Sequence, residues 1–204
     1  DNARGLAEMG NLGDEVLGIT DQLDAAGNTA KAITKGFSIG AAGLTVIALL
    51  AAYRETLMNI LGDDFLKGFD ILDPLVFFGM LVGVGVPAVF SAMLMMGVNR
   101  NADRMVNEIH RQFDEIPGLK EGQAGVEPDY NRCIDIATVG ALKELLPAGI
   151  MAIGVTLLVG FIGGVYAIAG YLAGNILSGV LLALLMSNAG GMWDNAKKYV
   201  EAGN

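Results

Sequence analysis

From Leu145 to Trp193 the chain runs for 49 residues without one Asp, Glu, Lys or Arg. A membrane helix needs about 20 consecutive, predominantly apolar residues, so this run has room for two. Two shorter uncharged runs precede it, 18 residues between Lys35 and Arg54 and 26 between Asp73 and Arg100. Only 17% of the 204 residues are charged and 53% are hydrophobic, whereas a soluble domain has about 25% charged residues. The pattern predicts an all-α fold, a polytopic transmembrane helix bundle. It has about four spans, near 36–53, 74–97, 145–162 and 165–187, all in one transmembrane domain.

The polar segments between the runs set the expected sidedness. Residues 1–35, 98–144 and 188–204 hold 11 of the 13 basic residues, and only Arg54 and Lys67 fall on the other side. The excess of Lys and Arg on cytoplasmic loops makes the first set cytoplasmic. Within it, residues 1–20 read as a short amphipathic helix, and residues 98–116 continue span 2 as a charged helix. "PGLKEGQAGVEPDY" is a loop, with its Gly and Pro breakers. Gly160, Gly163 and Gly164 mark a turn between spans 3 and 4. Small residues four apart, such as Gly79 with Gly83 and Gly170 with Gly174, suit close helix packing in lipid. No strand is expected.

Several function classes drop out. There is no basic stripe interleaved with aromatics, so no nucleic-acid partner is expected. One histidine, His110, and one cysteine, Cys133, cannot form a zinc set, a Cys–His pair or a Ser–His–Asp triad. No Gly-rich phosphate loop ends in Lys followed by Ser or Thr.

Three stretches carry chemistry instead. In "GGMWDNAKKY", Asp194, Lys197 and Lys198 are spaced i, i+3, i+4 and share a helical face. In "DAAGNTAKAITKG", Asp24, Asn28, Lys31 and Lys35 recur at spacings of 4, 3 and 4. "DNARGLAEMG" adds Asp1 and Glu8. Surface ion pairs and solvated helix ends account for each stretch alone. Together, carboxylates, an amide and lysines arriving at one membrane surface are the parts of a magnesium–phosphate site: hard oxygen ligands for Mg²⁺ and ammonium groups for phosphoryl oxygens.

At "DNARGLAEM", "LDAAGNTAKAITKGFSIG", "RQFDEIPGL", "PDYNRCIDIAT" and "GGMWDNAKKYVEAG" the chain resembles the later half of the membrane-bound, ion-pumping pyrophosphatases. The likeness runs through nearly all 204 residues in order. It implies an all-helical homodimer in a prokaryotic cell membrane, its active site facing the cytoplasm and hydrolysing Mg²⁺-bound pyrophosphate. By the same resemblance Asp1, Asn28 and Asp194 are metal ligands, and Asp1 also supports the attacking water. Lys197 is catalytic and binds pyrophosphate, with Lys198 as a second substrate ligand. Lys31, with Thr34 three residues on, marks the K⁺-independent subclass, whose members pump protons. Physically, a tethered ammonium takes the place of a bound cation. Arg4 departs from the family, which usually has Gly there.

The resemblance also implies an internal fragment. The family's remaining acidic and lysine motifs and most of its ion gate lie on helices outside this stretch, so the fragment alone is expected neither to hydrolyse nor to pump. A Na⁺ pump of the same family is the nearer alternative. A secondary carrier of organic anions fits less well, because carriers place ionisable groups near the bilayer midplane and the four spans have none. A non-catalytic membrane scaffold leaves "GNTAKAITKG" and "WDNAKKY" unexplained.

Overall fold

A computed structural model of the chain describes residues 2–62 and 68–203. Four helices account for the regular structure: α1 (Asn2–Met9), α2 (Asp14–Leu61), α3 (Pro74–Glu115) and α4 (Tyr130–Glu201). No strand occurs among the described residues. Three of these helices, α2, α3 and α4, are long and apolar enough to cross a membrane. The four spans read from the sequence fall on three helices because α4 holds both halves of the 49-residue run. Its break comes at Gly164, with φ 67° and ψ −162°, a conformation that a residue without Cβ adopts at little cost.

The expected amphipathic helix over residues 1–20 is two pieces. Asn11 has φ 49° and Gly13 has φ 91°, so the helical path stops after Met9 and restarts at Asp14. Elsewhere the boundaries follow local chemistry. The Asp73 carboxylate accepts hydrogen bonds from the backbone N–H groups of Leu75 and Val76, at 2.8 and 3.3 Å. Pro74 lies just inside, where a missing N–H costs nothing. Pro87 and Pro147 lie within α3 and α4, as proline often does in membrane helices.

The chain divides into two compact units. In the first, residues 1–69 and 176–204, α1 is tied to α2 by Arg4, which pairs with Glu8 and with Asp21 at 2.7 Å. The end of α4 runs antiparallel to α2. A Cβ at Gly36 would meet Leu184, one at Gly43 would meet Val180, and one at Gly191 would stand 3.2 Å from the Asn28 carbonyl.

In the second unit, residues 70–175, α3 and the stretch of α4 after Gly164 cross backbone to backbone and run parallel. A Cβ at Gly79 would lie 1.9 Å from the Ala167 carbonyl, and one at Gly170 would lie 1.9 Å from that of Val76. Only glycine permits that approach. The two legs of α4 fold back on each other, and Thr156 and Tyr171 hydroxyls hydrogen-bond at 2.9 Å across them. Val86, Val159, Ala167 and Tyr171 form the core here. At the far end of α3, Gln112 is buried and clamps the following loop. Its amide donates to the Asp129 carbonyl at 3.1 Å and its oxygen accepts from the Asp129 N–H at 2.8 Å.

Elsewhere the apolar side chains face outward: Phe37 and Ile162 are each 82% exposed. Such a surface suits lipid or further membrane helices, not water.

Candidate functional site

In the first unit, one face of α2 and the last turns of α4 come together. Asp24, Asn28 and Lys31 stand at i, i+4 and i+7 on α2. Spacings of three and four keep residues on one helical face. Asp194, Asn195 and Lys198 come from α4, and the bare backbone at Gly191 lets the two helices approach. Asp24 and Asn28 are buried, at 4% and 6% exposure, which is uncommon for an aspartate unless it is paired.

The pairing is dense. Asn28 donates from Nδ2 to Asp194 Oδ2 at 2.5 Å and to Asn195 Oδ1 at 3.0 Å. Asn195 in turn donates to the Ala25 carbonyl at 3.3 Å. Lys198 pairs with Asp24 and lies 3.2 Å from Asp194. Lys31 Nζ stands 3.5 Å from the Asn28 amide oxygen. Lys31 also lines, with Lys35, Ser187 and Gly190 among others, a small cavity of about 190 Å³ beside Asn28.

These contacts set the charge states. The hydrogen bond from Lys198 is the largest of the influences that lower the Asp24 carboxyl from its ordinary value. Asn28 first, and Lys198 second, hold Asp194 below the usual carboxylate range. Burial opposes the charge on Lys198, but Asp24 and Asp194 together keep its pKa above the ordinary lysine value. All three groups are therefore charged at neutral pH, and the ammonium sits where two carboxylates converge.

The structure divides the residues singled out by sequence. Asn28, Asp194, Lys198 and Lys31 meet. Lys197 is exposed and lies 3.5 Å from Glu201. Thr34 is exposed, and its hydroxyl bonds back to the Ala30 carbonyl at 2.8 Å. Asp1 lies outside the described residues. Two members carried no assigned role in the sequence. Asp24 was visible on the Asn28 face, and Asn195 directly follows Asp194.

Among the described residues no three His, Cys, Asp or Glu side chains are grouped to hold a metal ion. The oxygens that are present fit magnesium in kind. Two carboxylates and an amide are hard ligands of the sort Mg²⁺ takes, and Asp24 and Asp194 already gather one positive charge between them.

Comparison with known proteins adds an independent finding. A family model described as inorganic H⁺ pyrophosphatase matches residues 1–204. A K⁺-insensitive pyrophosphate-energized proton pump of Chloroflexus aurantiacus is 46% identical, covering 100% of this chain and 27% of that protein. One from Methanosarcina mazei is 45% identical, with 100% and 29% covered. A K⁺-stimulated pyrophosphate-energized sodium pump of Thermotoga maritima is 46% identical, with 100% and 28% covered. The chain thus spans less than a third of the length of these relatives.

Proposed function

We propose, from the premise that the chain belongs to the inorganic H⁺ pyrophosphatase family, that it supplies part of a membrane machine coupling pyrophosphate hydrolysis to outward proton movement. The carrying observation is the bridge from Asn28 to Asp194, 2.5 Å long across 166 positions of chain. It joins the two stretches, "GNTAKAITKG" and "WDNAKKY", that the sequence set apart as phosphate chemistry.

In this reading the site faces the cytoplasm of a prokaryotic cell, and the complete protein is a homodimer. Asn28 and Asp194, with Asp1, would hold magnesium, which when bound would draw charge from the diphosphate oxygens. Lys198 fixes the end of α4 against α2, so the carboxylate of Asp194 is held in place rather than left to swing. Lys197, one position earlier, keeps an exposed ammonium that suits the phosphoryl oxygens. The attacking water and its proton acceptor rest on carboxylates, Asp1 among them.

The relatives include both proton and sodium pumps at similar identity, so identity alone does not choose the ion. Lys31 supports the proton reading, because the K⁺-independent subclass that it resembles pumps protons. Its ammonium, 3.5 Å from the Asn28 amide oxygen, would stand in for the bound ion on which a K⁺-stimulated pump depends. The sodium pump remains the second reading.

The test uses the complete protein in inverted membrane vesicles with Mg-pyrophosphate and a pH-sensitive dye. Acidification of the lumen should be the same with and without K⁺, and Lys31→Ala should make it K⁺-dependent. Hydrolysis that requires Na⁺ would move the sodium pump to the front. Absence of pyrophosphate hydrolysis would overturn the reading altogether.

A further inference from the structure

In the second unit, two arginines share one carboxylate, with a lysine beside it in the chain, where α3 and α4 leave their apolar runs. Arg100 ends the 26-residue uncharged run and Glu144 immediately precedes the 49-residue one. Arg100 Nη2 lies 2.5 Å from Glu144 Oε2, and Arg104 Nη2 lies 3.1 Å from Oε1. Lys143 has no ion-pair partner among the described residues. Arg100, Arg104 and Lys143 outnumber Asp103 and Glu144 by one positive charge at this end, in a chain whose net charge is −9.

Arg104 and Lys143 open into a cleft of about 640 Å³ between α3 and α4. Its far end is electrically closed, because Arg111 pairs with Glu108 at 2.6 Å and Arg132 lies 3.8 Å from Asp135. The surplus charge is therefore at the membrane end. At 1.5 Å per residue, Arg104 stands about 6 Å beyond Arg100 and Lys143 about 3 Å before Leu145. The headgroup layer on each side of a bilayer is about 5–8 Å thick, so both cations lie within its depth. Ile136 and Val139 give the same cleft an apolar wall, and Gly140 a floor without a side chain.

We propose that this cleft binds the phosphate of an anionic phospholipid, with Lys143 and Arg104 on the phosphate and Ile136 and Val139 against the glycerol. Basic pockets between membrane helices favour such headgroups, by roughly fivefold in affinity per charge. A free phosphate ion satisfies the same ammonium and guanidinium groups, but it has no use for the apolar wall or for placement at the membrane boundary.

The complete protein in phosphatidylcholine vesicles, doped with spin-labelled phosphatidylglycerol, tests this. The bound fraction of the labelled lipid should exceed that of labelled phosphatidylcholine. Lys143→Gln should reduce the preference about fivefold, and Lys120→Gln in the adjacent loop should leave it intact. Lys143 is exposed, so its loss does not threaten the fold. A separate arm adds millimolar inorganic phosphate to the unaltered protein. Displacement of the labelled lipid would make the occupant a soluble anion and overturn the proposal. An undiminished preference in Lys143→Gln, or equal binding of both labelled lipids, would do the same.

Discussion

Lys198 pairs with Asp24, 174 positions earlier in the chain, and on its other side holds Asp194 at 3.2 Å. One ammonium thereby joins two helices that enter the first unit from opposite ends of the sequence. Both of its partners are acidic, so the interaction depends on their ionisation.

The pH dependence follows from Asp24. Its folded-state value is lowered below 3.8, chiefly by the hydrogen bond from Lys198, so the folded form holds the carboxylate more strongly than the unfolded form does. The stabilisation is therefore complete above about pH 4 and is lost as pH falls from there through the lowered folded value. The purified complete protein should lose thermal stability progressively over that interval. Asp24→Asn should be less stable at pH 7 and should show a shallower acid limb. A curve below about pH 4 that matches the unaltered protein would show that this pair contributes nothing.

Neighbouring lysines should separate in their effects. Lys197 is exposed beside Glu201, whereas Lys198 is partly buried between two carboxylates. Lys198→Met leaves Asp24 buried without its cation, a change that ordinarily costs several kcal/mol, and should lower the melting temperature. Lys197→Met should leave the melting temperature unchanged and raise the KM for pyrophosphate. Thermal melts beside steady-state kinetics on the complete protein read both, and a reversed pattern would exchange the two roles.

Much of this arrangement was legible in the sequence because its signals are local. Uncharged runs report lipid exposure residue by residue, and Asp73–Pro74 announces the start of α3. The shared face of Asp24, Asn28 and Lys31 follows from helical period alone. The choice between Lys197 and Lys198 does not, since both sit within a turn of Asp194. It depends on the rotation of α4 about its axis, which is set by Gly191 against the Asn28 carbonyl. The break between α1 and α2 was hidden for a related reason. The apolar spacing of Leu6, Met9 and Leu12 continues through it, and only the positive φ of Asn11 and Gly13 interrupts the helix.

Glycine contacts give a sharper expectation. A Cβ at Gly79 would stand 1.9 Å from the Ala167 carbonyl, while one at Gly85 on the same helix would have nothing within 4 Å. Gly79→Ala must push α3 away from α4, with a cost of about 1–3 kcal/mol typical of overpacking. Gly85→Ala should be neutral or slightly stabilising, since alanine favours helix. Paired melts of the two variants in the same detergent decide it, and equal stabilities would mean that the crossing is looser than the backbone contact implies.

Tyr171 offers the test inside the apolar layer. It is 1% exposed, and its hydroxyl meets that of Thr156 across the Gly164 reversal. Bonds of this kind between side chains in membranes average only about 0.6 kcal/mol and reach about 1.7. Tyr171→Phe keeps the ring in the core and removes only the bond, so its loss should fall in that range. Thr156→Val also removes a hydroxyl that is bonded to the Ala152 carbonyl at 2.8 Å. The double variant should therefore cost less than the sum of the two singles, because the shared bond is lost once. Unfolding of all four proteins under one detergent condition gives the coupling directly. Strict additivity would place the two hydroxyls out of contact and remove this bond as a clamp on the α4 hairpin.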